Sequence, residues 1–176
     1  FFTTSVSAGE NLRLVGVSDS QIFFVGNTMI DTLMHTYKDF RCPDVWLASR
    51  LRPQNYLLLT LHRPSNVNDD NYLHDILVSV CSANGDIPIV FPVHPRTRKS
   101  ISKIQTLPEQ LICIEQLPYL EFMYLVKNAL AVVTDSGGIT EEATVLKVPC
   151  LTVRENTERP ETVEIGSNSL VGSDPL

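Results

Sequence analysis

Short apolar runs recur along the chain, and segments with helical spacing of apolar residues lie between most of them. The runs have the length and composition of strands, whereas the segments between them repeat apolar residues every three or four positions. We predict strands at 22–25, 56–61, 87–93, 111–114, 129–134, 149–153 and 169–171. We predict helices at 7–15, 28–37, 71–82, 96–106, 119–128 and 139–146. Residues 44–53 are predicted as a helix or linker, and residues 64–70 as a loop.

Strands that alternate with helices and are apolar on both faces are typical of a parallel sheet covered by helices on both sides. The sequence therefore predicts an α/β protein with a doubly wound parallel sheet. A chain of 176 residues is long enough for one domain with a substantial core and short for two. We predict a single domain over 1–176, and we expect it to be a piece of a longer protein, because neither end resembles a natural terminus.

Composition narrows the classes of partner. Twenty acidic against fourteen basic residues give a formal net charge of −6, which argues against nucleic acid and anionic membranes as main partners. No apolar run approaches the roughly 20 residues of a membrane span, and we find no signal peptide, so a cytoplasmic location is expected. The four cysteines are widely spaced and contain no CxxC pair, which predicts free, buried thiols.

Polar and charged residues collect where the predicted strands end. In an open parallel sheet, ligands bind beyond the carboxyl ends of the strands. Five strand ends carry such groups, so we predict a ligand site along this rim. The groups are Gly26-Asn27-Thr28, His62-Arg63, His94, Asp135-Ser136-Gly137-Gly138 and the segment 154–159.

The segment Ser136-Gly137-Gly138 lies between a buried strand and a helix predicted to start near Ile139. Unpaired amides and the dipole at a helix start favour phosphate, although a pair of glycines can also serve only a tight turn. We expect Glu141 and Glu142 in the first helical turn, with only one of them facing the site. A carboxylate there suits the two hydroxyls of a ribose, while the alternative is a simple interaction with the helix dipole.

Three side chains on the rim suit an anionic ligand. His62 follows a very apolar run and is the candidate for general-acid catalysis or phosphate binding, the alternative being a structural histidine. Arg63 beside it strengthens the anion hypothesis. Arg159 can clamp phosphate with its planar guanidinium, or it can form a surface salt bridge. No metal-ligand spacing, Walker loop or GxGxxG segment is present, so we predict neither a metal nor a cofactor.

Four motifs in one order carry a resemblance to a known family. They are Gly26-Asn27-Thr28-Met29-Ile30-Asp31, Leu59-Thr60-Leu61-His62-Arg63, the segment from Asp135 to Ala143 and Thr157-Glu158-Arg159-Pro160-Glu161, and Leu170-Val171-Gly172 closes the chain. Together the motifs closely resemble those of non-hydrolysing UDP-N-acetylglucosamine 2-epimerases. The resemblance runs over essentially the whole chain, and the combination is specific although each motif alone is not.

The resemblance implies a glycosyltransferase-B-like architecture of two Rossmann-like halves with the active site between them. The chain resembles the C-terminal, nucleotide-binding half. The family interconverts UDP-GlcNAc and UDP-ManNAc without a metal, by eliminating UDP and adding it back with the configuration at C2 inverted. The implied partners are therefore UDP, a UDP-N-acetylhexosamine and an N-terminal domain of the same protein, with a homodimer expected for the whole protein.

The resemblance also implies roles for individual residues. Ser136, Gly137 and Gly138 would hold the diphosphate, and Glu142 would bind the ribose hydroxyls. Arg159 and His62 would contact the phosphate side. Phe122 would pack on the uracil, with the backbone near Leu117 at its edge; without the resemblance, Phe122 reads as a core residue of a helix.

One feature of the family has no counterpart in this sequence. Its acid/base carboxylates belong to the N-terminal domain, so no residue here is assigned to proton abstraction at C2, and the chain alone is expected to be inactive. Three alternatives therefore stay open: a hydrolysing relative that releases free sugar, half of a glycosyltransferase-B-type transferase, and a non-catalytic nucleotide-sugar binding module.

Overall fold

The computed structural model describes residues 1–104 and 106–174. By its internal contacts the chain divides into two compact units, Phe1–Tyr37 and Lys38–Leu176. The single domain expected over 1–176 remains a prediction.

The first unit is a small strand–helix–strand arrangement. Strands β1 (Phe2–Thr3) and β2 (Phe23–Phe24) pair in parallel, with Phe2 opposite Phe23. Helix α1 (Val6–Leu14) and a 3₁₀ turn (Asp19–Gln21) connect them, and helix α2 (Thr28–Thr36) follows. The strand predicted at 22–25 therefore exists but does not belong to the main sheet, because its only ladder among the described residues is to β1.

The second unit is built on a sheet of six parallel strands among its described residues. The strands are β3 (Leu57–Thr60), β4 (Ile89–Val93), β5 (Leu111–Glu115), β6 (Ala131–Thr134), β7 (Cys150–Thr152) and β8 (Asn168–Leu170). Their order across the sheet is β5-β4-β3-β6-β7-β8, so the chain starts in the middle, winds to one edge and then returns to wind to the other. This is the strand order of a Rossmann-like doubly wound sheet, and it confirms the predicted fold class.

Helices separate these strands along the chain. They are α3 (Asp44–Ala48), α4 (Pro64–Val67), α5 (Asp70–Asn84), α6 (Pro95–Ile101), α7 (Tyr119–Asn128), α8 (Gly137–Val145) and α9 (Pro160–Glu164), with a 3₁₀ turn (Tyr37–Asp39) before α3. The loop predicted at 64–70 is wrong in part, since Pro64 occupies the first position of α4, where its missing N–H costs nothing. The helix predicted at 96–106 ends at Ile101, and Gln105 lies outside the described residues.

The core lies where the central strands meet α5. All residues of β3 and β4 are buried, and Leu59 and Phe91 pack in one cluster with Leu73 and Leu77 of α5. Central parallel strands are covered on both faces, which explains their continuous apolar sequences. The four cysteines are free, as predicted, but Cys42 and Cys113 are exposed rather than buried.

Candidate functional site

The site lies at the carboxyl ends of β3 and β6, the two strands from which the chain winds in opposite directions. These neighbours pair through Thr60 and Thr134, whose hydroxyls lie 2.7 Å apart. Because successive connections leave this point on opposite faces of the sheet, a crevice opens beyond the strand ends. The segment after β3 carries His62 and Arg63, and the segment after β6 carries Asp135 and Ser136.

Asp135 is the residue that ties these two segments together. Its carboxylate is fully buried and accepts hydrogen bonds from the backbone N–H groups of His62, at 3.0 Å, and Arg63, at 2.8 Å. The Asn66 side chain donates to the same oxygen at 3.1 Å, and His62 Nδ1 lies 2.7 Å from the other oxygen. Asp135 therefore fixes the position of His62, the candidate for catalysis.

Helix α8 begins at Gly137, two residues earlier than predicted, and this places Gly137 and Gly138 in its first turn. Ser136 is the residue before the helix, and its side chain makes no capping hydrogen bond. The first amides of a helix have no acceptor within the helix, so those of Gly137 and Gly138 are suited to an anion. A Cβ added at Gly137 would lie 3.3 Å from Glu158 Oε2, so glycine leaves room for the Glu158 carboxylate close to the helix start.

The earlier helix start corrects the prediction for Glu141 and Glu142. The first turn of α8 contains no acidic residue, so both carboxylates lie in the second turn. Both are also buried. A dipole interaction with the first turn therefore does not explain either of them, and each has its own partner.

Glu142 is paired with a tyrosine. The Tyr119 hydroxyl donates to Glu142 Oε1 at 2.8 Å. Burial raises the pKa of Glu142, an effect that the Tyr119 hydrogen bond opposes and the neighbouring charge of Glu141 adds to. Burial, together with the hydrogen bond to Glu142, raises the pKa of Tyr119 as well. The pair thus presents a buried carboxylate oriented by a hydroxyl that keeps its proton.

Glu141 is paired with an arginine. Arg159 precedes α9, and its Nε lies 3.0 Å from Glu141 Oε2. The Arg159 side chain is about one-third exposed and Glu141 is almost fully covered. Of the two roles considered for Arg159, a phosphate clamp or a surface salt bridge, the structure contains a salt bridge, and this salt bridge is partly buried. Because Glu141 lies on α8, this ion pair keeps the Arg159 guanidinium beside that helix.

A charged edge, defined here as Arg63, Arg154, Glu158 and the start of α8, forms one side of the site. Arg154 is only 7% exposed and donates to Glu158 twice, at 2.6 and 2.8 Å, while Arg63 Nη2 lies 3.4 Å from the same carboxylate. The hydrogen bonds from Arg154 lower the pKa of Glu158 to about 2. Glu158 therefore stays ionised and holds a negative charge beside Gly137.

A cavity of about 360 Å³ forms the other side, and we name it the base cavity after the nucleobase that the resemblance implies beside Phe122. Leu117 lies in the turn before α7, Phe122 lies on α7, and both line the cavity together with Tyr119, His62 and His94. Phe122 is partly buried rather than fully buried in the core, so its ring is available to the cavity. The structure thus brings Leu117, Phe122 and His62 together around one cavity.

Two other cavities are near the sheet. One of about 600 Å³ borders the charged edge and is lined by polar residues that include Arg63, Arg154 and Asn156. The other, of about 410 Å³, has a mostly aliphatic wall that includes Ile76, Val80 and Leu151. Ligand sites combine an apolar wall with a few converging polar groups, and this combination occurs at the base cavity and charged edge.

The prediction of the rim was wrong at one strand end and incomplete at another. Gly26-Asn27-Thr28 follow β2 of the first unit, not a strand of the main sheet. Arg154, on the other hand, was noted only as the start of a polar segment, and the structure makes it the main partner of Glu158. Its position just beyond the end of β7 was the available signal, because polar residues at that position face the crevice.

Two further findings concern the described part of the chain alone. Within it, His, Cys, Asp and Glu side chains do not gather in groups of three or more that could hold a metal ion. Across the same residues, no helix has both the length and the apolar character needed to cross a membrane.

Comparisons with known proteins agree on one family. A sequence model described as UDP-N-acetylglucosamine 2-epimerase matches residues 1–176. A UDP-N-acetylglucosamine 2-epimerase from Methanococcus maripaludis is 40% identical over 184 residues, covering 99% of this chain and 50% of the relative. The enzyme of that name from Escherichia coli strain K12 is 36% identical, with 98% of this chain and 49% of the relative covered. The chain thus spans about half the length of the curated relatives it matches.

Solved structures give the same result. The Methanocaldococcus jannaschii UDP-GlcNAc 2-epimerase in complex with UDP-GlcNAc and UDP has a TM-score of 0.86 and 39% identity, with 99% of this chain and 51% of that chain covered. The UDP-GlcNAc 2-epimerase from Neisseria meningitidis bound to UDP-GlcNAc has a TM-score of 0.84 and 30% identity, with 99% and 49% covered. The likeness extends over the whole chain.

Proposed function

We propose a function that starts from one fact: the chain belongs to the UDP-N-acetylglucosamine 2-epimerase family. It forms the UDP-binding half of an enzyme that interconverts UDP-GlcNAc and UDP-ManNAc. The proposal depends mainly on the position of Asp135. Its carboxylate accepts a hydrogen bond from the backbone of His62, which lines the base cavity, and it lies two residues before the uncapped start of α8. A nucleoside diphosphate needs an apolar slot and an anion site side by side, and these elements supply both.

UDP fits this arrangement in one orientation. The uracil enters the base cavity and packs on Phe122, with the backbone near Leu117 at its edge. The ribose hydroxyls then donate to Glu142, whose carboxylate is buried and already oriented by Tyr119. The diphosphate lies at the start of α8, against Ser136, Gly137 and Gly138.

The charged groups around the diphosphate stabilise the leaving group. When the C1–O bond of the sugar breaks, its electron pair stays on the β-phosphate oxygen, and negative charge grows there. The α8 amides, Arg63 and Arg159 supply fixed positive potential, and His62 supplies a proton or a hydrogen bond. The same groups hold UDP for its return to C1, when a proton added to the opposite face of C2 inverts the configuration there.

Removal of the proton at C2 requires a base that we assign to the other half of the protein. The chain spans about half of each relative, which supports a two-domain, glycosyltransferase-B-like enzyme with its active site between the halves. The chain on its own is then expected to bind UDP and to lack activity. The homodimer and the cytoplasmic location remain predictions.

The test is a reaction of the full-length protein with UDP-GlcNAc alone in D₂O, followed by proton NMR. We expect UDP-ManNAc to appear with deuterium at C2, because elimination and re-addition exchange the C2 proton with solvent. Accumulation of free ManNAc and UDP would identify a hydrolysing enzyme instead. Turnover that requires a sugar acceptor would identify a transferase, and UDP binding without turnover would identify a binding module.

A further inference from the structure

The Asp135 carboxylate is surrounded by hydrogen-bond donors. It is fully buried at the end of β6, and Oδ2 accepts from three N–H groups: those of His62, Arg63 and the Asn66 side chain. Each of these groups is a donor only, so Oδ2 must act as an acceptor towards all three. A proton on this oxygen would face three other hydrogens, so Oδ2 acts as an acceptor only.

This arrangement determines which nitrogen of His62 carries hydrogen. Nδ1 lies 2.7 Å from Asp135 Oδ1, a distance typical of a strong hydrogen bond to a carboxylate. Oδ1 also accepts the backbone N–H of His62, at 3.2 Å, so we assign Oδ1 as the acceptor and Nδ1 as the donor of this pair. In a neutral imidazole the second nitrogen is then an acceptor, and in the protonated ring it becomes a donor. His62 lines the base cavity, so Nε2 is the nitrogen left for a ligand there.

We infer that Asp135 is a positioning residue for His62, which it holds in the Nδ1–H tautomer with Nε2 directed at the cavity. In the protonated ring, Nε2–H then gives its proton to the β-phosphate oxygen as the C1–O bond breaks, and the neutral Nδ1–H ring remains. The reverse transfer accompanies the return of UDP. The tautomer follows from the geometry alone, whereas the proton transfer rests on the proposed function.

A second histidine–aspartate pair provides an internal control. On α5, His74 Nδ1 lies 3.2 Å from Asp75 Oδ1, so the same two atoms are paired. The Asp75 side chain is 60% exposed, however, whereas that of Asp135 is fully buried. Water competes with an exposed pair, so we expect Asp75 to have little control over the tautomer of His74.

The experiment is nitrogen NMR of the full-length protein labelled with ¹⁵N-histidine, recorded where the rings are neutral. The His62 and His74 signals are assigned by their loss in His62→Gln and His74→Gln. We expect His62 to be the Nδ1–H tautomer and to change to Nε2–H in Asp135→Asn, because the amide would turn its N–H towards Nδ1. Asp75→Asn should leave the His74 signals nearly unchanged.

An Nε2–H tautomer of His62 in the unsubstituted protein would overturn the inference, as would an unchanged His62 tautomer in a folded Asp135→Asn. The first of these measurements needs no change at Asp135, so it decides the question even if Asp135→Asn does not fold.

Kinetics tests the role of the tautomer in turnover. His62→Gln and Asp135→Asn should each lower kcat by about 10²- to 10⁴-fold, the range for loss of a positioned acid, and the double variant should lose little more. The exposed-pair variant Asp75→Asn should keep kcat within about twofold. Multiplicative losses in the double variant would contradict a shared role. Absence of epimerase activity in the unsubstituted protein would refute the proposed function but leave the tautomer assignment intact.

Discussion

The two sides of the site differ in what already occupies them. The base cavity is an open space of about 360 Å³ lined by Leu117 and Phe122. The charged edge is filled by its own ion pairs, with the Glu158 carboxylate held by Arg154 and lying beside Gly137. A nucleobase can therefore enter a preformed cavity, whereas a diphosphate must compete with a carboxylate for the same positive groups. We expect the base to supply affinity and the charged edge to limit it.

The largest effect should follow a change in the base cavity. Phe122→Leu keeps an apolar side chain but removes the aromatic face, and stacking of a base on an aromatic ring is worth about 1–3 kcal/mol. We expect the Kd for UDP to rise by about 5- to 150-fold in calorimetric titration. The Kd for pyrophosphate, which has no base, should not change. An equal loss of affinity for UDP and for pyrophosphate would contradict the division of the site into two sides.

The Tyr119–Glu142 hydrogen bond should have a smaller, pH-dependent effect. Tyr119→Phe removes one donor, worth about 0.5–1.5 kcal/mol, so UDP should bind about 2- to 10-fold more weakly. Burial already raises the pKa of Glu142, and loss of this hydrogen bond raises it further.

The ionised carboxylate is the form that accepts from both ribose hydroxyls, so UDP affinity should fall as the pH drops through the Glu142 pKa. In Tyr119→Phe that fall should begin at a higher pH than in the unsubstituted protein. Calorimetry with UDP across the acid range measures both curves. Superimposable pH profiles for the two proteins would show that Tyr119 does not act on the ribose site.

The charged edge should respond in the opposite direction. Glu158→Gln removes the carboxylate that competes with phosphate and frees the guanidinium groups of Arg63 and Arg154. Because Glu158 is more than half exposed, we expect a modest gain of up to about 1 kcal/mol, or about fivefold tighter pyrophosphate binding. Weaker binding in this variant would show that Glu158 instead holds the arginines in their binding positions.

Stability measurements provide the control for Glu158→Gln. The Glu158 pKa is lowered from 4.5 to about 2, so its ion pair stabilises the folded protein above pH 4.5 and loses that contribution as the pH falls towards 2. The free energy of unfolding of the unsubstituted protein should thus exceed that of Glu158→Gln at neutral pH by less than about 1 kcal/mol. The difference should vanish near pH 2 in urea titrations.

Features that depend on neighbouring residues in the sequence could be predicted, whereas contacts between distant residues could not. The parallel sheet was predictable because β3 and β6 are apolar up to a threonine at their last position, and burial on both faces leaves that signature in the sequence. The strand at 22–25 has an equally apolar sequence, so periodicity could not reveal that it pairs outside the main sheet. Family motifs predicted His62 and Glu142 as site residues; in the structure His62 lines the base cavity and Glu142 is hydrogen-bonded to Tyr119, which also lines it.

The pairings within the site were not predictable. Asp135 bonds to residues 72 and 73 positions away, and Tyr119 to a residue 23 positions away, and no local spacing encodes these contacts. The start of α8 was predicted two residues late because glycine is a poor helix former, whereas here Gly137 and Gly138 occupy its first turn. That shift moved Glu141 and Glu142 into the second turn, where each finds a partner.

The most direct test of the two-sided site is a calorimetric comparison of three ligands, UDP, uridine and pyrophosphate, on the full-length protein. Uridine carries the groups for the base cavity and Glu142, and pyrophosphate carries those for the start of α8 and the charged edge. We predict saturable binding of one UDP per chain, with an affinity well above that of either part alone. No UDP binding at millimolar ligand, or UDP binding no tighter than pyrophosphate, would contradict the account.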